Sequence, residues 1–191
     1  MTKLKEEIHN CRLCKEFLPL SPRPIVDFSE KSKIIIIGQA PGRKAYDSET
    51  PWNDQSGDNL RRWLGVSQEE FYNTDNFALV PMGFCFPGSS RTGDLPPRKE
   101  CAPTWHNSIF DILTEKKLII LVGHYAVNYY LKQKAKKSLT ETVRHFNEYL
   151  PKYFPLVHPS PRNRIWHKKN DWFEYEVLPE LQLSVLEILK M

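Results

Sequence analysis

The sequence predicts a three-layer α/β/α fold built on a central, mostly parallel sheet of four strands. Three observations carry that expectation. Four short apolar runs, at residues 33–37, 77–80, 117–122 and 153–157, are dense in β-branched and aromatic residues, and runs of that length without polar alternation read as strands buried on both faces. Helical patterns lie between them, and strands alternating with helices require crossover connections, hence parallel strands with helices on both faces. The length, 191 residues, suits one domain, 1–191, with a full core rather than two small ones.

The first run stops abruptly at Gly38 and opens into Gly38-Gln39-Ala40-Pro41-Gly42. A helix is predicted at 56–64, with Ser56 as its cap and Leu60, Trp63 and Leu64 on its apolar face. The second run passes into 81–85, and the Pro-, Gly- and Ser-rich stretch 87–98 predicts a surface loop. Helices are expected at 99–113 and 125–131, on either side of the third run, which ends at Gly123-His124. The fourth run leads into 158–163, and the last helical stretch, 172–189, holds Pro179 and should be two pieces. Sheets of this kind bind ligands beyond the carboxyl ends of their strands. Nearly every unusual residue falls on that rim.

The formal charge is +4 with six histidines besides, which suits a nucleic-acid partner without specifying one. Basic residues fall in separate stretches, Arg61-Arg62, 132–137 and 162–169, for a fold to gather. No run of eighteen apolar residues occurs, and residues 1–10 carry charges where a secretory leader needs apolar side chains. The expectation is a cytoplasmic monomer with no membrane partner.

Four cysteines fall in two pairs, Cys11 and Cys14 as C-x2-C, then Cys85 and Cys101. Cytoplasmic thiols stay reduced, so the pattern argues for metal rather than disulfides. A 4Fe–4S cluster and a tetrahedral zinc are both open on the residues alone, as is a redox role for the C-x2-C pair.

The cysteine spacing, the Gly38–Gly42 segment after the first strand and His158-Pro159-Ser160-Pro161-Arg162-Asn163 after the last resemble, in kind and order, the uracil-DNA glycosylase superfamily. The resemblance is greatest to its four-cysteine, iron–sulfur families four and five, and spans almost the whole chain. It implies a structural 4Fe–4S cluster, tying 5–15 to the loop 84–101, and an enzyme that hydrolyses the N-glycosidic bond of a flipped-out uracil in DNA. That reaction leaves positive charge on the sugar and negative charge on the departing base, and both need stabilising. By the resemblance, His158 donates a hydrogen bond to the uracil O2 and the backbone amides of Gln39 and Ala40 read a carbonyl. Trp52 stacks beneath the base, and Tyr46 lines the pocket wall.

Two departures matter. Family four has Glu where this chain has Gln39, which cannot act as a base. The carboxylate that aligns water is therefore expected at Asp54, in Asp54-Gln55-Ser56-Gly57, similar to the D-x-S-G segment of family five; the plain alternative is that Asp54 caps the following helix. Asp47 and Glu49 are weaker candidates. No Asn follows the second strand, where Val80-Pro81-Met82-Gly83-Phe84 stands, so reading falls to backbone groups such as Gly83 and a broader range of deaminated bases is expected. The Arg162-Asn163 ending resembles the single-strand-selective family three, and across the superfamily this loop enters the duplex; Arg162 is the wedge candidate, with Ser160, Asn163 and His124 as DNA contacts. No lysine sits near the motifs as a Schiff-base nucleophile, so a monofunctional glycosylase is expected. The rivals are a binder of damaged DNA that cuts nothing and an enzyme using the first loop for phosphate.

Overall fold

In the computed structural model, which describes residues 3–91 and 93–191, a row of four isoleucines forms the centre of the sheet. The strands are β1 (Ile34–Ile37), β2 (Phe77–Leu79), β3 (Ser89–Ser90), β4 (Gly93–Asp94), β5 (Leu118–Val122) and β6 (Tyr153–Leu156). The helices are α1 (Lys3–His9), α2 (Arg43–Ser48), α3 (Gln55–Leu64), α4 (Gln68–Tyr72), α5 (Cys101–Ile112), α6 (His124–Leu131), α7 (Leu139–Arg144), α8 (Arg164–Lys169) and α9 (Leu178–Lys190). The main sheet has the order β2-β1-β5-β6 with every pairing parallel.

Strand pleating sends alternate side chains to opposite layers. Ile34, Ile36, Leu118, Ile120, Phe154 and Leu156 face α3 and α9, meeting Leu60, Trp63, Leu181 and Val185. Ile35, Ile37, Ala78, Val80, Ile119 and Leu121 face the other way, onto Ile8 of α1, Ile109 of α5 and Ala126 and Val127 of α6. Both layers are closed, which is why the strand runs are apolar without alternation. The expected architecture is the observed one.

The chain leaves β1 for one edge of the sheet and returns past it to β5, so the strand order reverses between these two. A crevice opens outside such a point. Gly38 and Gly123, the residues after β1 and β5, stand at its base.

Two details differ from the sequence reading, and a third follows it. Helix α3 is capped by Asp54, not Ser56: the Asp54 Oδ1 accepts the Gly57 N–H at 2.9 Å. The stretch 87–98 is not all loop, because β3 and β4 pair as a small antiparallel hairpin. The final stretch does divide, into a π-helical turn at Phe173–Val177 and then α9, with Pro179 in the first turn of α9 where its missing N–H leaves no gap. Among the described residues no helix is long and apolar enough to cross a membrane.

One buried histidine holds the end of β2 in place. His106 of α5 donates from Nε2 to the Pro81 carbonyl at 3.0 Å, while its Nδ1 faces the Tyr130 hydroxyl. Burial drives its pKa down to about 4. An unfolded chain would take up that proton near 6.5, so stability is full above 6.5 and falls as the pH drops toward 4, by roughly 3 kcal/mol. His158 and His167 are displaced downward by burial too and add in the same direction. Denaturant melts at pH 7 and pH 4.5 should show the loss, and His106→Gln, which does not titrate, should flatten the profile.

Candidate active site

A cleft of about 610 Å³ lies at the carboxyl ends of the strands, and both sequence motifs line it. Its floor is Trp52 over Gly38. A Cβ on Gly38 would stand 2.6 Å from the Trp52 Cζ2, so only glycine lets the indole lie against the backbone after β1. Trp52 is in the left-handed region, at φ 57, a conformation that costs a bulky residue energy and persists only where its surroundings demand it. Gly57 leaves the room for it: a Cβ there would sit 1.7 Å from the Trp52 carbonyl oxygen. Trp52 is half-buried; it also packs on the core beneath.

That turn delivers Asp54 into the cleft. One carboxylate oxygen caps α3, and the other lies 3.9 Å from where a Gly42 Cβ would be. The cap and the cleft-facing carboxylate are one group with its two oxygens divided.

His158 enters from the end of β6, its ring 5.8 Å from the Trp52 ring and tilted by 30°. Burial holds its pKa below the ordinary imidazole range, the Asp54 and Asp94 carboxylates pull it upward, and His124 adds to the depression. Desolvation is the largest of these, so the imidazole is neutral at pH 7. The segment around it is braced from two sides: Asn163 Nδ2 donates to the His158 carbonyl at 2.7 Å, and Asn59 Nδ2 of α3 donates to the Pro159 carbonyl at 2.9 Å. Asn163 thus has an intramolecular task besides lining the cleft, and the sequence held no signal for Asn59. Ser160 accepts the Arg162 N–H at 3.3 Å, and Ser160, Arg162 and His124 all line the cleft. Arg61 is elsewhere: it is buried, paired with Asp58, and donates at 3.4 Å to the Trp52 carbonyl.

Gln39 has a use that its place in the motif did not suggest. Its Nε2 donates to the Leu95 carbonyl at 2.9 Å and reaches the Asp94 carbonyl at 3.4 Å, pinning the β3–β4 hairpin across the cleft. A glutamate would set a carboxylate against two carbonyl oxygens, which repels, so the amide suits this chain's hairpin. The pinned hairpin brings in Ser89, Ser90 and Asp94 as cleft residues. Arg162 reaches it at Gly93, where a Cβ would meet the guanidinium at 2.8 Å.

The family model of the uracil DNA glycosylase superfamily matches residues 25–182. This chain belongs to the uracil-DNA glycosylase superfamily. It is also 23% identical over 171 residues, 84% of this chain and 74% of the relative, to the type-4 uracil-DNA glycosylase of Sulfurisphaera tokodaii.

Two base-binding expectations drawn from the superfamily do not land on the cleft. Tyr46 is turned away: it packs with Ile25 and Phe86, lies under the Arg23 guanidinium and donates to the Ser21 carbonyl at 3.2 Å. Gly83 is buried, and its N–H is taken by the Gln39 carbonyl at 3.0 Å. Neither lines the cavity, whereas Ala45 and Pro81 beside them do. Asp47 pairs with Arg43 and Glu49 with Arg23, both on the surface, and they also stay outside the cavity lining.

The four cysteines of this superfamily member form no disulfide. Burial raises Cys85 to about 11 and Cys101 to about 12, and the charges of Cys11 and Cys14 push both in the same direction. The thiols therefore share one electrostatic neighbourhood. Cys14 also donates to Glu100 at 3.7 Å, docking the amino-terminal segment on the start of α5. The donor set has the chemistry of a four-thiolate centre, but among the described residues no group of three or more His, Cys, Asp or Glu is arranged to hold a metal ion.

Proposed function

We propose that this protein is a monofunctional glycosylase that hydrolyses uracil, and other deaminated bases, from flipped-out nucleotides in DNA, working as a monomer in the cytoplasm. The observation that carries the reading is the convergence of Trp52, Asp54, His158 and the Gln39-Ala40 backbone on one cleft, with superfamily membership behind it. The flipped base stacks on Trp52, and the amides of Gln39 and Ala40 hold a carbonyl. The C1′–N1 bond breaks with both electrons leaving on the base. The neutral His158 donates a hydrogen bond to O2 as that charge grows, keeping its proton. A water held by the open oxygen of Asp54 forms the new C1′–O bond and gives its proton to Asp54, which returns it by way of solvent to the uracil anion. Arg162 fills the gap left in the DNA, with Ser160 and His124 on phosphates.

Cys11, Cys14, Cys85 and Cys101 are the residues to hold a 4Fe–4S cluster. It would tie the amino-terminal segment to the loop before α5 and supply no chemistry to the base. Metal binding would have to draw the protons from thiols that burial now keeps protonated. The absorption spectrum of freshly prepared protein, compared with Cys85→Ala, reads this directly: a visible iron–sulfur band is expected in the first and not in the second.

The test of function is base release from labelled oligonucleotides carrying uracil, hypoxanthine, xanthine or thymine. Uracil is expected to be released, and His158→Ala should lower the rate about 10²–10³-fold, as loss of one donor to a developing anion does. Binding without release from any of the four would reject the reading in favour of a damage-binding protein.

A further inference from the structure

The cleft holds a second carboxylate for which the reaction, as described above, has no use. Asp94 stands on β4, and its Oδ1 accepts the Ser89 hydroxyl at 2.6 Å. Its Oδ2 lies 3.1 Å from the point where a Gly42 Cβ would be, and Asp54 Oδ2 lies 3.9 Å from the same point. The two oxygens are therefore at most 7.0 Å apart, and both belong to residues that line the cavity. Each carboxylate has one oxygen tied within the protein and the other turned toward Gly42.

Two anions this close repel unless something positive comes between them. The substrate supplies it, because the sugar becomes cationic as the base departs. With one oxygen on the helix cap and the other holding the water, Asp54 faces the cation across that water, and a second carboxylate would add to the field there. We propose that Asp94 is a second catalytic carboxylate, facing the sugar of the flipped nucleotide across from Asp54 and stabilising its positive charge in the transition state. Asp94 takes no proton and forms no bond; the water's proton still goes to Asp54. Gln39 is then a positioning residue, because its amide pins the hairpin that carries Asp94. The acid absent from position 39 of the first motif is replaced by one that position 39 holds in place.

This rests on the glycosylase reading, and the experiment separates the two. Affinities are measured for single-stranded oligonucleotides carrying a cationic pyrrolidine abasic-site analogue or the neutral tetrahydrofuran analogue, at one fixed low salt concentration. The wild-type protein should prefer the cation at least ~10-fold, and Asp94→Asn, which keeps an acceptor for Ser89, should lose most of that preference with little change toward the neutral analogue. In base release, Asp94→Asn should lower kcat about 10–100-fold with KM nearly unchanged, and Asp94→Glu should recover part of it. Gln39→Met should lose part of the cation preference as well, since it has no N–H for the Leu95 carbonyl and adds no charge to the cleft. A preference retained in Asp94→Asn, or absent from the wild type, overturns the assignment of Asp94. Cation preference that depends on Asp94, in a protein releasing no base, upholds the assignment and instead removes the glycosylase reading.

Discussion

Asp54→Asn is expected to lower base release about 10²–10⁴-fold while leaving the fold intact. The choice of residue matters because Asp54 does two things at once. Its Oδ1 caps α3 through the Gly57 N–H, and asparagine caps as well as aspartate does. Its other oxygen faces the cleft near Gly42, and there an amide cannot take a proton from water, so the loss is that of a general base. Asp54→Ala removes both functions and should also cost about 1 kcal/mol of stability. Equal melting curves for wild type and Asp54→Asn, with release rates far apart, would place the residue in the chemistry. Comparable rates would leave it a cap and nothing more.

Gly57→Ala should be the most damaging single methyl group in the site. Helix propensity alone favours alanine over glycine by about 1 kcal/mol, so a neutral helix would be strengthened. Here the new Cβ would stand 1.7 Å from the Trp52 carbonyl oxygen and 2.7 Å from its carbon. Both are backbone atoms that cannot rotate aside, and Arg61 holds the same carbonyl at 3.4 Å. Relief requires the turn from Trp52 to Asp54 to move, which takes the Trp52 ring and the cleft-facing Asp54 carboxylate with it. The expected cost is about 3 kcal/mol, seen as a fall in Tm of roughly 6–12 °C for a chain of this size, together with near-complete loss of base release. A raised Tm would mean that propensity wins and that the turn is free to shift.

Much of the scaffold was legible because the signals are local. An unbroken Ile34–Ile37 run has few ways to be satisfied other than as a central parallel strand, and the turn residues after each run marked the rim where the cleft lies. Two further local signals mark helix starts: Ser67 and Glu70 form a capping box that starts α4, and Ser138 caps α7 through the Glu141 N–H, both the S-x-x-E pattern. The site was legible only where chemistry and chain position coincide, as at His158, Asp54 and Trp52. Tyr46 failed for a rotational reason: on α2, one residue beyond the cleft-facing Ala45, its ring points into the Ile25–Phe86 cluster instead. Gly83 failed because a backbone donor is available only until another backbone group takes it, and the Gln39 carbonyl does.

The sequence by itself determined the layered parallel architecture, the rim that carries the site and membership of the superfamily. The first two follow from periodicity and from turn residues close together along the chain, and the third from motifs that resemble a known family. Only the tertiary structure decided which acid residues face the cleft, because that depends on contacts between distant segments. Gln39 reaches Leu95 across 56 positions, Asn59 reaches Pro159 across 100, and a stretch whose composition reads as loop becomes a hairpin that sets Asp94 beside Asp54. Side-chain amides hold these pieces, and an amide's partner cannot be read from its neighbours in the chain. It is chosen when the sheet closes and brings the rims of β1 and β6 together.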